Sequence, residues 1–308
     1  MEKGITPTQV RCVLAVADTL HFGEAAAGLR LAQSALSAQV ARLEADLGVR
    51  LFERTSRSVS LTAAGAAFLP RARTVLAELD RLRTDVVAAG GQVEGLVRIG
   101  TISTLVDVDL AGLLATLRVR HPRLRAQVHV QASERTVADV AAGRLDLGFT
   151  GTRLGESLTG VEIAVLTTEP LLLALPPEHP LRHRRRVRLA DLAGEPMVDF
   201  VAGTGGRRQT DEAFAAAGVT RDVVVEASSG VLLLDLVRQG VGLGFVPASL
   251  ARSLVCQDVT TVPVTDAPVR RVSVVHAGAN SSAATRAVLV VLRDALSTTT
   301  DAAGQLTG

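Results

Sequence analysis

The spacing of apolar residues changes near Gly90, and that change divides the chain into at least two structural regimes. From Thr62 to about Ala89, Phe68, Ala72, Val75, Leu79, Leu82 and Val86 step by four, three, four, three and four. Such steps keep one stripe on one side of a long helix, the heptad seam through which helices pair. A helix this long can also pack on its own domain. Its place between two regions, ending at Gly90-Gly91, predicts a dimerisation helix over 62–89, with a kink at Pro70. After Gly95 the pattern alternates between strand and helix. Strands are predicted at Leu96–Thr101, Arg125–Gln131 and Leu145–Thr150. Helices are predicted between them at Val106–His121 and Glu134–Ala142. That alternation describes a parallel α/β half.

A second half is expected to follow. Its strands are Glu169–Leu175, Met197–Val201, Val223–Ala227 and Gly242–Val246, and its helices Leu189–Ala193, Thr210–Ala217 and Val231–Gln239. Strand Arg270–His276 and helix Ser282–Leu296 then return to the first half. Two α/β lobes with the chain crossing between them place a cleft at their junction, where small ligands bind.

Before residue 62 the reading is short helices and a hairpin. Val10, Val13, Leu14 and Ala17 mark the first helix, and Ala25, Ala26 and Leu29 the inner side of the second, about Gly23–Leu29. After a break at Arg30-Leu31-Ala32, a third helix runs from Ser34 to Leu47. Leu36, Val40, Leu43 and Leu47 form its apolar stripe. Ser34 is expected to cap its start and Gly48 to end it. The opposite face carries Ser34, Ser37, Ala38, Ala41 and Arg42, small or hydrogen-bonding side chains that allow close approach to a groove. Helix, tight turn, helix is a DNA-reading geometry, although a solvated helix face has the same composition. Next, Arg50 to Leu61 reads as two strands around a Thr-Ser-Arg-Ser tip. Arg54 and Arg57 flank that tip and suit phosphates or a narrow minor groove, or form an ordinary basic turn.

Composition limits the alternatives. Net charge is +2 over 308 residues, so nucleic-acid binding needs a local patch. Residues 1–61 carry seven cations against six acids, and three of the seven, Arg50, Arg54 and Arg57, crowd into the hairpin. Aromatic content is 2%, which argues against base stacking on aromatic platforms. Cys12 and Cys256 are two inert thiols by preference, with a redox switch as the alternative. The N-terminus shows no basic segment before an apolar run, and no stretch reaches membrane-span length. A cytoplasmic protein without membrane attachment is expected. No nucleophile elbow, paired metal-ligand motif or dinucleotide fingerprint occurs, and the six histidines are scattered. An enzyme is therefore not expected, and neither a cofactor nor a metal is implied. A solute-binding protein would suit the later lobes but not the first third. The tract Arg182-His183-Arg184-Arg185-Arg186-Val187-Arg188 reads as a solvated loop.

The residues Phe22, Ala25, Ala26, Leu29, Gln33, Ser34-Ala35-Leu36-Ser37, Val40, Leu43-Glu44, Leu47-Gly48, Leu51-Phe52, Arg54, Arg57, Leu61-Thr62 and Ala64-Gly65 resemble the LysR-type transcriptional regulators at fixed spacing. Val97-Arg98-Ile99-Gly100, His121-Pro122, Gly143 to Phe149, the Leu189-to-Gly194 segment and Gly240 to Gly244 before Pro247 extend the resemblance more weakly. It implies an N-terminal all-α winged helix-turn-helix over 1–61 and a linker helix over 62–90. It also implies an α/β effector domain over 91–308, two-lobed like periplasmic binding proteins. Lobe 1 would be about 91–165 and 268–300, and lobe 2 about 166–267. By resemblance, Gln33, Ser34 and Ser37 approach base edges, with Ala38 and Arg42 on the same face, and Arg54 and Arg57 hold the wing on DNA. Ala38 stands where relatives carry a longer polar side chain, and Gly28 weakens the second helix by roughly 1 kcal/mol.

Also by resemblance, the effector cleft includes Thr101, Ser103, Thr104, Ser133 and Thr152 from lobe 1. From lobe 2 it takes Phe200, Val201, the Gly203–Gly206 loop and Ser228. Hydroxyls at helix N-termini with free N–H groups make an anion site, so a small carboxylate effector is expected. Thr104 and Ser133 could equally be plain N-caps. The partners implied are double-stranded promoter DNA, the effector, a second copy through 62–89, a homotetramer through the effector domains, and RNA polymerase.

Overall fold

The structure, a computed structural model, describes residues 4–55, 58–90, 92–253 and 259–304. The chain forms two compact units. One runs to Gly90 and takes in Ala142–Arg144; the other comprises the remainder.

The first unit opens with helix α1 (Pro7–Thr19). Thr6 caps it, accepting from the Gln9 N–H while Gln9 accepts from the Thr6 N–H. Helix α2 (Phe22–Gly28) is capped by His21, whose Nδ1 accepts from Glu24 N at 3.1 Å. After a turn in which Arg30 adopts a left-handed conformation, helix α3 spans Gln33–Leu47. Its N-cap is Ala32, with no side-chain cap bond, so the expected capping by Ser34 does not occur: Ser34 already lies inside the first turn. Gly48 ends the helix at φ 70°. Leu36, Val40 and Leu43 of α3 meet Cys12, Val13 and Val16 of α1, and Ala25 and Ala26 of α2, in one core. Strands β1 (Phe52–Arg54) and β2 (Val59–Leu61) pair antiparallel, with Phe52 opposite Leu61. Thr62 then caps α4 (Ala63–Ala89) by accepting from Gly65 N at 3.0 Å. Gly65 is required there, because a Cβ would fall on the Leu51 carbonyl oxygen.

The second unit is built on a sheet ordered β10-β6-β11-β5-β3-β4, with β9 also on β6. Strand β3 (Gly95–Thr101) leads through α5 (Leu110–Arg120) to β4 (Leu124–Val130), and α6 (Ser133–Ala141) leads to β5 (Leu147–Arg153). These three strands are parallel, as the alternation predicts. Strand β11 (Val269–His276) returns to this half but runs antiparallel to β5, so the sheet is mixed. Strand β6 begins at Glu162, seven residues before the predicted start, and runs to Leu175. Its first part pairs with β11, while Leu171–Leu175 pairs with β9 (Gly244–Pro247) and β10 (Thr260–Pro263). One strand therefore belongs to both lobes, and its early half, residues 162–168, is largely exposed rather than buried.

The second lobe adds the parallel pair β7 (Pro196–Phe200) and β8 (Asp222–Ala227). Helices α7 (Gly205–Ala216), α8 (Gly230–Arg238) and α9 (Ala248–Arg252) flank it, and α10 (Ala283–Gly304) closes the first lobe. The helix expected at Leu189–Ala193 is one 3₁₀ turn, Leu189–Leu192. The lobes have separate cores. Val97, Ile99, Phe149 and Val288 anchor one, and Leu173, Met197, Phe214 and Phe245 the other.

Candidate functional site

Two surfaces were expected to carry function. On α3 the side turned from the core displays Gln33, Ser34, Ala38 and Arg42, all exposed, with Ser37 half-buried beside them. Their spacing is the helical consequence of burying Leu36, Val40 and Leu43 on the other side. Arg54 does not project freely. Its Nη2 donates to Glu44 Oε2 at 3.0 Å, and the guanidinium stacks on the Phe22 ring at 4.5 Å. Glu44 Oε1 meanwhile accepts from Leu51 N at 2.8 Å and Phe52 N at 3.2 Å. One carboxylate of α3 thus holds the start of the hairpin, a link that spacing alone did not signal. Arg57 lies outside the described residues, as does Cys256.

On α4, Leu69 and Ala72 are buried, and Leu69 joins the core of the first unit. Further along, Val75 is 51%, Leu79 38%, Leu82 62% and Val86 66% exposed. The later half of the heptad stripe thus lies on the surface of the single chain.

Within the second unit, a cavity of about 160 Å³ lies between the lobes. Ser103, Thr104, Ser133, Phe200 and Ser228 line it, as do Gly205 and Gly206. Thr101, Thr152 and Val201 do not. Each is adjacent in sequence to a residue that does, Ile102, Gly151 and Phe200 respectively, and consecutive residues of extended chain face opposite sides. Thr101 and Thr152 are buried instead, and Val201 is exposed. Thr104 does not begin a helix, because α5 starts at Leu110 under an Asp109 cap. Ser133 does open α6, and its hydroxyl is used on Gly151, accepting from its N–H at 2.9 Å and donating to its carbonyl at 3.2 Å.

The expected set omitted Arg270, Gln131, Gln209 and Thr210 from the lining. Arg270 is buried at the point where β11 pairs with β6, opposite Glu169. Its Nε donates to Glu169 Oε1 at 2.8 Å, its Nη1 to Thr104 Oγ1 at 2.7 Å and its Nη2 to the Thr104 carbonyl at 3.1 Å. Glu169 also accepts from the backbone and hydroxyl of Ser249, so one pair ties strands of both lobes to α9. Burial draws the Arg270 guanidinium below its usual pKa, against the opposing pull of Glu169 and Asp107. Burial, then the Glu169 charge, raises Asp107. An arginine in a strand that also carries Val269, Val272, Val274 and Val275 was the available sequence signal for this group.

Behind the wall, Asp199 is buried and raised by desolvation, although Thr210 Oγ1 donates to it at 2.7 Å and Arg221 bonds it as well. Arg208 of α7 pairs with Glu134 of α6 at 3.0 Å and with Glu156 at 2.8 Å, so ion pairs cross from lobe to lobe. Among the described residues no cluster could hold a metal, and no helix is long and apolar enough to cross a membrane.

Both parts match known families. Residues 7–66 match the bacterial regulatory helix-turn-helix protein, lysR family, and residues 90–297 match the LysR substrate binding domain. The chain is 35% identical to an uncharacterized HTH-type transcriptional regulator of Escherichia coli K12, YnfL, over 79% of this chain and 82% of that one. It is 32% identical to the Bacillus subtilis HTH-type transcriptional regulator AlsR over 80% and 82%, and 34% identical to the E. coli dual regulator OxyR over 77% of each. Full-length CbnR complexed with its target DNA superimposes with a TM-score of 0.65 at 26% identity, covering 94% of this chain and 99% of that one. OxyR C199D of Pseudomonas aeruginosa, at 23% identity and a TM-score of 0.72 over 95% of each chain, shares the fold. These relatives are regulators, not enzymes. With a helix-turn-helix whose third helix displays a polar face and a two-lobed domain enclosing a cavity, the chain belongs to the LysR family of DNA-binding transcriptional regulators.

Proposed function

We propose that this regulator's hold on DNA is set by a small carboxylate bound in the cavity between the lobes. One observation carries the reading: Arg270 is the ionisable residue among those lining the cavity, and no aspartate or glutamate is among them. After its bonds to Glu169 and Thr104, Arg270 keeps one Nη1 N–H, on the nitrogen beside Gly151. The first residues of α6 and α7, Ser133 and Gly205-Gly206, also face the cavity, and helix N-termini favour anions. Glu169 offsets the formal charge, so selectivity rests on directed N–H and O–H groups rather than on net charge.

DNA contact falls to Gln33, Ser34, Ser37, Ala38 and Arg42, with Arg57 on the backbone. The surface stripe of α4 joins two copies, and effector-domain contacts build a tetramer. Strands β6 and β11 enter the wall of the cavity and bear on both lobes. Ligand closure therefore changes lobe packing, and ligand and DNA affinities are coupled reciprocally.

The names of several relatives, hydrogen peroxide-inducible genes activators, offer a second reading. Peroxide sensing needs a reactive thiolate. Cys12 is buried in the helix-turn-helix core, where desolvation raises its pKa, and no described cavity residue carries a thiol. The carboxylate reading is therefore preferred.

The test measures thermal stabilisation and footprints of the full chain with acetate, succinate and benzoate, each beside its neutral amide. Carboxylates should raise Tm and alter the footprint while the amides do neither. Equal effects from acid and amide, or no effect from any acid, would refute the reading.

A further inference from the structure

Gln209 lies in the second turn of α7, is 5% exposed, and lines the cavity. Its Oε1 is buried without a hydrogen-bond partner. Among the described residues with such an atom, Gln209 is the one that lines the cavity. The side chains on either side of it direct their bonds elsewhere. Arg207 bonds Glu226 and Asp211, Arg208 bonds Glu134 and Glu156, and Thr210 bonds Asp199. Across the cavity, Ser133 is paired with Gly151, and Gln131 donates to Thr136 and Asp139. A buried amide oxygen left unpaired in the wall of a cavity is a place for a ligand group.

We infer that Gln209 selects for a hydroxyl on the effector, so that the ligand is a small hydroxycarboxylate rather than a plain acid. This rests on the carboxylate reading above and adds a second, independent polar requirement to it. A primary amide offers an acceptor and donors and can turn end over end, so the matching group should both donate and accept. A hydroxyl does so with a single heavy atom. Size agrees: a cavity of about 150 Å³ accepts a six-carbon ring, and this one measures about 160 Å³. Ile102, Val130, Phe200 and Phe245 supply apolar contact for the carbon frame. The carboxylate goes to Arg270 and the helix N-termini, and the hydroxyl to Gln209.

The test uses matched acids on the full-length protein: lactate beside propionate, malate beside succinate, and 2- and 4-hydroxybenzoate beside benzoate. Affinities come from calorimetry on wild-type and Gln209→Met protein. In wild type, the hydroxylated member of at least one pair should bind about tenfold or more tightly than its partner, as expected when a buried polar group loses its mate. In Gln209→Met that ratio should fall below about threefold. Without ligand, Gln209→Met should melt at or above the wild-type temperature, because no protein hydrogen bond is lost. Equal binding within every pair, or a ratio that survives Gln209→Met, overturns this inference and leaves the carboxylate reading standing. Failure of every acid to bind overturns both. A ligand-free Tm several degrees lower in Gln209→Met shows that the amide already had a partner, and also overturns it.

Discussion

Replacing Glu44 by alanine should release the hairpin from α3, and the size of the effect follows from its three bonds. Oε1 accepts from the N–H groups of Leu51 and Phe52, and both residues are almost wholly buried. The Glu44 side chain itself is 12% exposed, so water is a poor substitute. Stranding a buried donor costs about 1–3 kcal/mol, and two such donors set the scale. The Arg54 guanidinium is about one-third exposed, and its pair adds at most about 1 kcal/mol. Alanine's better helix propensity returns a few tenths of a kcal/mol. A net loss of about 3 kcal/mol is roughly a hundredfold in local opening. Hydrogen exchange followed by mass spectrometry on the full chain should show amides of residues 51–61 exchanging about a hundredfold faster, with the Val97–Phe149 core unchanged. Glu44→Gln keeps the Oε1 acceptor and loses the Arg54 partner, so its exchange should rise by about tenfold or less. Exchange in Glu44→Ala within threefold of wild type would refute the assignment, as would equal damage from glutamine and alanine.

Other consequences can be measured directly. Leu82→Glu places a charge in the exposed stripe of α4 and should shift the protein toward monomer in sedimentation; an unchanged dimer would remove α4 from the interface. Gly65→Ala drives a methyl onto the Leu51 carbonyl and should destabilise the first unit by about 1–3 kcal/mol, visible in a melting curve; no change would mean that the α4 start can shift without penalty. Ser37→Arg should change which operator is preferred, whereas Arg42→Ala should weaken all sequences alike; identical preference profiles would count against the α3 face. Burial raises the Cys12 pKa, leaving little thiolate at neutral pH, so N-ethylmaleimide should spare Cys12 in native protein and modify it in urea. Modification of the native protein at Cys12 would contradict its burial.

Much of the architecture was legible because burial writes a period into sequence. Leu36, Val40 and Leu43 announced α3, and Val97 and Ile99 a core strand. The reading failed where burial was not the cause of structure. Strand β6 starts at Glu162 with largely exposed residues, held by pairing with β11 rather than by an apolar face. Leu189–Leu192 has helix-like spacing and an N-terminal cap, with Asp191 Oδ2 accepting from Arg188 N, but the chain turns extended at Ala193 and closes only a 3₁₀ turn. Strand direction was likewise invisible: β11 lies antiparallel beside β5, a choice fixed by where the chain re-enters the first lobe.

The cavity divides along the same line. Ser103, Ser133 and Phe200, which the resemblance pointed to at a strand end or a helix start, line the cavity. Thr101 and Thr152 were misplaced by one residue, and in extended chain one residue reverses the face. Arg270 and Gln209 pose a deeper difficulty, since what distinguishes them is the state of their neighbours' hydrogen bonds. Arg270 has Glu169 and Thr104, distant in sequence, and Gln209 Oε1 has no partner, while the bonds of Arg207, Arg208 and Thr210 run elsewhere. A sequence lists donors and acceptors but not which remain unspent after folding. Ligand chemistry is decided by those remainders, so the family could be read from the chain while the effector's second functional group required the folded molecule.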